Sequence, residues 1–218
     1  MTILLSDPRV SAVPTRDDDE PLVVLDPCFG PARAKVRLGL ATRLEQAQAA
    51  LPPGIGLLVV EGHRSVGAQQ AIIDRYTAEV RRHHPTVTQE EVERLSSRFV
   101  APIAVAPHVA GAAVDLTLYD ACGDLLDLGT SIDATPEESG GRCYFAADGI
   151  SADARAHREL LAGVLGAAGL VNYPTEWWHW SYGDRYWALR TGAPAALYGP
   201  VSARAGLAGA SLVGAGVA

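Results

Sequence analysis

The segment from residue 114 to residue 119 constrains the fold more than any other stretch of the sequence. Apolar and polar residues alternate along it, in the order Val114, Asp115, Leu116, Thr117, Leu118 and Tyr119. A period of two is the pattern of a β-strand with one buried face. Because such a strand needs neighbouring strands and a covering layer over its apolar side, we expect a sheet that presents Asp115 on the face opposite the core.

Helical patterns and further strand patterns surround this segment. Helices are predicted over residues 31–51, 65–80, 88–95 and 151–168, and strands over residues 55–60 and 177–182. Ser65, Thr88 and Ser151 are suitable N-caps for three of the helices, and Gly169 is a suitable stop. Helices that flank a small sheet define an α+β fold, and we predict this class for the chain.

A chain of 218 residues is long enough for one domain with a sizeable core. We assign residues 1–198 to this domain, with residues 1–20 as a variable N-terminal segment. Residues 199–218 are mostly Gly, Ala, Ser and Val, so we expect a flexible tail there. The four consecutive acids at residues 17–20 are expected to lie in a solvated loop.

The net charge and the cysteine pattern limit which classes of partner and which cellular compartment we expect. The net charge of −7 at pH 7 does not attract phosphate backbones or anionic lipids, so we expect no nucleic-acid partner and no membrane partner. The three cysteines, Cys28, Cys122 and Cys143, lack CxxC spacing, which indicates neither a disulfide framework nor a thiolate zinc site. Because the N-terminus has no signal-like apolar run, we expect a cytoplasmic protein.

The first group of candidate functional residues is His108 and Asp115, with Gly111 between them. A permissive glycine allows the chain to turn so that the imidazole and the carboxylate approach one point. The alternative is that His108 is a hydrogen-bonded structural residue and that Asp115 caps a loop. The spacing alone leaves both hypotheses open.

The second group is Glu176 and His179, in the string EWWHW. Residues three apart on a strand point to opposite faces, so these two side chains converge only if Glu176 lies in the turn that Pro174 and Thr175 favour. The alternative is an aromatic core patch of tryptophans in which His179 is merely packed.

The third candidate is Arg64, in the turn that follows the strand predicted at residues 55–60. An arginine in a turn is usually a surface residue, and the functional alternative is a guanidinium aimed at a developing oxyanion. Taken together, the three groups make a stronger case. Two imidazoles and one carboxylate are the ligand set of a catalytic zinc, and a nearby glutamate can accept the proton of its water.

Three strings carry a family resemblance: EGHR at residues 61–64, PHVAGAAVDLTLYD at residues 107–120 and EWWHW at residues 176–180. In this order and at these separations they resemble the D-alanyl-D-alanine dipeptidases of the VanX type, within the larger family of zinc D,D-peptidases. The resemblance implies a small, mostly antiparallel sheet flanked by helices. It also implies one zinc ion per chain.

The resemblance implies a role for each residue of the site. The zinc ligands correspond to His108, Asp115 and His179. Glu176 corresponds to the catalytic base, and Arg64 to the arginine that stabilises the tetrahedral intermediate. Asp133 corresponds to the carboxylate that binds the free ammonium group of the substrate. The sequence departs from the family pattern at Ala106, where a serine is usual, and at His63, where a tyrosine is common.

The sequence therefore predicts a zinc-dependent dipeptidase that hydrolyses D-alanyl-D-alanine or a related dipeptide containing a D-amino acid. Its partner would be this small dipeptide, and no oligomeric state is predicted. Three alternatives stay open. They are a D,D-carboxypeptidase or cell-wall endopeptidase, a biosynthetic amide hydrolase, and a zinc-stabilised binding module without turnover.

Overall fold

The structure, a computed structural model, describes residues 2–201 of the chain. Its helices are α1 (Pro8–Ser11), α2 (Leu38–Ala50), α3 (Val66–His83), α4 (Gln89–Ser96), α5 (Pro136–Ser139), α6 (Ala152–Ala167) and α7 (Arg185–Thr191). Its strands are β1 (Leu22–Val24), β2 (Lys35–Arg37), β3 (Gly56–Glu61), β4 (Ala113–Tyr119), β5 (Val171–Asn172) and β6 (His179–Ser181). Except for residues 199–201, the segment predicted as a tail lies outside the described residues.

The central sheet has four strands in the order β3-β4-β6-β5, and every neighbouring pair is antiparallel. The alternating segment forms β4, which lies inside the sheet as its pattern requires. Helices flank the sheet, so the predicted α+β class with a small, mostly antiparallel sheet is confirmed. Ser65, Thr88 and Ser151 each accept a hydrogen bond from a first-turn backbone N–H, as N-caps do.

The main hydrophobic core lies on one side of this sheet. It joins buried leucines and valines of β3 and β4 to buried leucines of α2 and α6, among them Leu40, Leu44, Leu57, Leu116, Leu161 and Leu165. The side chain of Asp115, between two of the core residues of β4, points to the other face. The sheet thereby separates the core from a polar face on which a site can form.

The register of β3 against β4 shifts by one residue near the end of β3. Val59 pairs with Leu116, whereas Glu61 pairs with Asp115. Val60 is therefore the extra residue of a β-bulge, and its side chain is exposed. A bulge reverses the alternation of side chains beyond it, so Glu61 lies on the face of Asp115 and not on the core face of Val59.

The prediction of one helix over residues 31–51 is wrong in its first half. Lys35–Arg37 forms β2, which pairs with β1, and α2 begins only at Leu38. Arg33 has a left-handed backbone with φ of 47°, which no α-helix contains. The proline at position 31 is thus part of a turn before β2 and not the first residue of a helix.

Two other predictions change in detail. The strand predicted over residues 177–182 is limited to His179–Ser181, because the tryptophans before it lie in a turn. In the acidic run, Glu20 does not behave as a solvated loop residue. Its carboxylate accepts hydrogen bonds of 2.7 Å from the Gly39 N–H and from the Tyr198 hydroxyl, so it satisfies a free backbone N–H at the N-terminus of α2.

Within the described residues, no helix has the length and apolar composition needed to cross a bilayer.

Arg158 is a fully buried cation that α6 contributes to the interior. Its guanidinium donates to the backbone carbonyls of Leu128, Tyr144 and Arg142 over 2.8, 2.6 and 2.8 Å, and it lies beside the Trp177 ring. Burial lowers the pKa of Arg158 to about 10, so the group stays charged at neutral pH. This one side chain therefore anchors the long segment between β4 and α6.

We predict that Arg158→Lys destabilises the protein by about 2–4 kcal/mol, measured as the free energy of unfolding in denaturant. The ammonium is a point donor that cannot reach carbonyls on three sides at once, so buried acceptors lose their partners. Arg155→Lys is the matched control, since Arg155 contacts two carbonyls at a more exposed position. Equal stability of Arg158→Lys and the wild type would contradict the anchoring role.

Candidate active site

Three side chains converge on the polar face of the sheet. The Nε2 atom of His108 lies 3.1 Å from Nδ1 of His179 and 3.3 Å from Oδ1 of Asp115. Nδ1 of His179 lies 3.1 Å from the same Asp115 oxygen. All three residues are buried. Asp115 on β4 and His179 on β6 are direct cross-strand partners, so the sheet itself brings two of the three groups together.

His108 reaches the other two residues because the chain turns sharply before β4. Gly111 makes this turn possible: its φ is 67°, and an added Cβ would lie 2.5 Å from the Leu22 side chain. Nδ1 of His108 lies 2.8 Å from the carbonyl oxygen of Gly62. A carbonyl only accepts, so Nδ1 carries the proton and Nε2 presents its lone pair to the centre of the cluster.

The cluster has the donor set and the spacing of a metal site. In tetrahedral zinc sites the metal–ligand distances are about 2.0–2.1 Å, which places neighbouring ligand atoms about 3.3 Å apart. The three donor atoms here are separated by 3.1–3.3 Å. Three protein ligands are also the usual number in a catalytic zinc site. Among residues 2–201 this is the one group of three or more His, Cys, Asp or Glu side chains with such geometry.

Glu176 lies beside this cluster, in the turn that Pro174 and Thr175 form. Its backbone N–H donates to the Tyr173 carbonyl over 2.9 Å, and its Oε2 lies 3.8 Å from Nδ1 of His179. The turn thus allows two residues three apart to face the same point. Burial raises the pKa of Glu176 well above its ordinary value, and the negative charges of Asp115 and Asp133 raise it further.

Arg64 approaches the cluster from the connection between β3 and α3. Its Nε donates to Oε1 of Glu61 over 2.8 Å, its Nη2 donates to the other oxygen of Glu61, and its Nη1 donates to Oε1 of Gln69 over 3.0 Å. Burial acts to lower the pKa of Arg64, but the neighbouring carboxylate of Glu61 outweighs it and raises the pKa. The group is therefore a permanent cation in the cavity.

Asp133 lies at the rim of the same cavity. It lies in the loop before α5, and its backbone is left-handed, with φ of 62°. Partial burial of the carboxyl group raises the pKa of Asp133, and the negative charges of Asp115 and Glu61 raise it further. The cavity has a volume of about 320 Å³, and all six residues singled out in the sequence line it.

Sequence reasoning missed two residues of this cavity, Glu61 and Gln69. Glu61 is part of the EGHR string, so its position was visible although its contact was not. Gln69 is buried on α3 and is held by a 2.8 Å hydrogen bond to the Ala101 carbonyl. A polar residue at a buried helical position is the signal that could have pointed to it. Ala106, a departure from the family pattern, also lines the cavity.

The chain is similar to proteins of a known family. Residues 31–192 match the family model described as D-ala-D-ala dipeptidase. A D-alanyl-D-alanine dipeptidase of Synechocystis is 31% identical over 175 residues, which cover 70% of this chain and 71% of that protein. A D-alanyl-D-alanine dipeptidase of Escherichia coli is 36% identical over 72 residues, covering 33% of this chain and 35% of that protein.

A solved structure also resembles the chain. It is a mutant of the vancomycin resistance D,D-pentapeptidase VanY from a VanB-type resistance cassette, in complex with Zn(II). The sequence identity is 17%, the TM-score is 0.44, and the alignment covers 87% of this chain and 96% of that one. The family match, which spans well over half of the chain, and the identity to the Synechocystis protein show that this chain belongs to the D-ala-D-ala dipeptidase family of zinc metallopeptidases.

Proposed function

We propose that the protein is a zinc-dependent dipeptidase that hydrolyses D-alanyl-D-alanine or a related dipeptide containing a D-amino acid. The observation that carries the proposal is the buried triangle of two imidazole nitrogens and one carboxylate oxygen, with the Glu176 carboxylate beside it. Membership of the D-ala-D-ala dipeptidase family supports the substrate class. Two carboxylates beside two imidazoles in a buried cavity also favour the binding of a cation.

In this proposal one zinc ion per chain is held by Nε2 of His108, Oδ1 of Asp115 and Nδ1 of His179. A zinc ion bound there supplies Lewis acidity, which polarises a carbonyl group and lowers the pKa of a water molecule toward about 7. The hydrogen bond from His108 to the Gly62 carbonyl keeps the imidazole in the tautomer that this role requires. Asp115 contributes the negative charge that makes the donor set complementary to a divalent ion.

Glu176 is the proton carrier in the proposed reaction. Its carboxylate accepts a proton from the attacking water and returns it to the nitrogen of the departing amino acid. Its Oε2 lies 3.8 Å from Nδ1 of His179, so the carboxylate is next to the proposed zinc ligands, where the attacking water would be held.

Arg64 and Asp133 bind two charged groups of the reacting substrate, the developing oxyanion and the α-ammonium. The Arg64 guanidinium donates N–H groups to the oxygen of the scissile carbonyl as negative charge develops on it. Asp133, at the rim of the cavity, pairs with the free α-ammonium of the substrate and so excludes N-acylated chains. The presence of both Glu176 and Arg64 in the cavity disfavours a zinc-stabilised binding module, which needs neither.

A cytoplasmic location and a role in cell-wall turnover belong to the same proposal. The cysteine pattern supports the location, because three cysteines without CxxC spacing fit a reducing compartment. A small dipeptide released from cell-wall material is the corresponding substrate. The boundaries given for the domain, residues 1–198, stay a prediction.

We predict that the purified protein binds about one zinc ion per chain and that His108→Ala and His179→Ala abolish this binding. Each substitution removes one of three ligands, and the two that remain are fewer than the three protein ligands of a catalytic zinc site. The measurement is zinc content by elemental analysis after gel filtration. His157→Ala is the control, since His157 lies outside the cavity and its Nδ1 is bonded to the Asp127 carbonyl oxygen. Full zinc content in both ligand variants would refute the assignment.

We predict that Glu176→Gln keeps its zinc but lowers kcat by about 10²–10⁴-fold. The amide preserves the shape of the side chain and cannot carry the proton. Steady-state kinetics with D-alanyl-D-alanine and zinc analysis of the same preparation provide the test. A kcat within twofold of the wild type would mean that another group transfers the proton.

We predict that N-acetylation of the dipeptide lowers kcat/KM of the wild type at least about 100-fold, because Asp133 would then keep an unpaired charge against a neutral amide. Asp133→Asn should lose most of this discrimination. The matched control is Asp124→Asn, at an exposed position outside the cavity. If acetylation scarcely changes kcat/KM in the wild type, an endopeptidase or amide hydrolase fits better than a dipeptidase.

A further inference from the structure

We propose that Glu61 is a positioning residue that, with Gln69, fixes the orientation of the Arg64 guanidinium. The inference rests on the proposed function, in which Arg64 stabilises the developing oxyanion. Glu61 itself would touch neither the metal nor the substrate. It would act through Arg64.

The β-bulge at Val60 is what brings Glu61 into the cavity. With regular alternation Glu61 would share the core face with Val59, and its carboxylate would be buried among leucines. The register shift turns it instead to the face of Asp115, where it lines the cavity. A bulge costs a ladder hydrogen bond, and at this position it re-aims one carboxylate.

The Glu61 carboxylate is a bidentate acceptor for one edge of the Arg64 guanidinium. It takes hydrogen bonds from Nε and Nη2 of Arg64, and Gln69 takes one from Nη1. An arginine has five N–H groups, so two stay free, one on each terminal nitrogen. The two braces therefore leave one N–H free on each terminal nitrogen of Arg64 and fix the plane in which the guanidinium lies.

Gln69 is itself held in place. Its Nε2 donates to the Ala101 carbonyl over 2.8 Å, which forces Oε1 to be the atom that faces Arg64. The residue is 2% exposed, so its amide cannot turn to solvent. One brace is thus a charged pair and the other a buried amide of defined orientation.

The charges in the cavity make such bracing necessary. Arg64 lies within the electrostatic reach of Asp115 and Glu176, and a flexible guanidinium is drawn to the carboxylates around it. If Arg64 paired with Glu176, it would occupy the proton carrier and leave the oxyanion position. Glu61 supplies a competing carboxylate, to which Nε and Nη2 of Arg64 donate, and so keeps Arg64 from pairing with Glu176.

The test is a double-mutant cycle on the zinc-loaded enzyme, with D-alanyl-D-alanine as substrate. Glu61→Gln keeps the size of the side chain but offers one acceptor oxygen, so its amide N–H₂ opposes an N–H of Arg64. We expect kcat to fall about 10- to 100-fold, with KM changed less than threefold, because the oxyanion forms after substrate binding. In an Arg64→Lys background the same substitution should change kcat less than threefold.

Two measurements separate positioning from a general structural effect. Zinc content and melting temperature of Glu61→Gln should match the wild type. Glu45→Gln is the control, because Glu45 is exposed on α2 and lies outside the cavity. We expect this control to change kcat less than twofold. The proposal is overturned if Glu61→Gln retains a kcat within twofold of the wild type or loses its zinc. It is also overturned if Glu61→Gln lowers kcat in the Arg64→Lys background as much as it does in the wild type.

A second readout does not depend on turnover. The Nε–H resonance of Arg64, assigned by its absence in Arg64→Lys, should exchange slowly with solvent in the wild type and at least tenfold faster in Glu61→Gln. If the wild type fails to hydrolyse any dipeptide but this exchange pattern is found, the proposed function is wrong and the bracing of Arg64 stands. Equal exchange rates in the wild type and Glu61→Gln overturn the bracing whatever the activity.

Discussion

The antiparallel pairing of β4 with β6 is the interaction on which the site depends. It sets Asp115 opposite His179, so a carboxylate and an imidazole 64 residues apart in sequence share one side of the sheet. Backbone hydrogen bonds hold this pair, and the core on the other face keeps the strands in register. Three further groups are added by turns at strand ends: His108 before β4, Glu176 before β6 and Arg64 after β3.

Local signals explain how much of the fold could be predicted. The alternation in β4 and the caps at Ser65, Thr88 and Ser151 depend on neighbouring residues, and the structure confirms them. The strand pair β1–β2 was missed because its stability comes from pairing across the intervening turn and from the contact of Arg37 N–H with the Gly111 carbonyl. Nothing within residues 31–37 signals either partner.

The site could be predicted as residue types but not as contacts. Two histidines, an aspartate, a glutamate and an arginine were identifiable because zinc chemistry needs them, and they line one cavity. Their individual roles stay predictions. The braces on Arg64 could not be foreseen, because they require a bulge in β3, and a bulge is invisible to a pattern of period two. The orientation of Gln69 likewise depends on a carbonyl 32 residues away.

The close packing of the Gly62 backbone against β2 links the edge of the protein to its chemistry. A Cβ at Gly62 would lie 2.5 Å from the Lys35 carbonyl oxygen, and the Gly62 carbonyl in turn receives the His108 N–H. The His108 carbonyl then receives the backbone N–H of Arg64. Strand β2 contributes no reacting group, but its contact with Gly62 fixes the position of the Gly62 backbone. Through the two hydrogen bonds that follow, β2 therefore determines where the His108 imidazole and the Arg64 backbone lie.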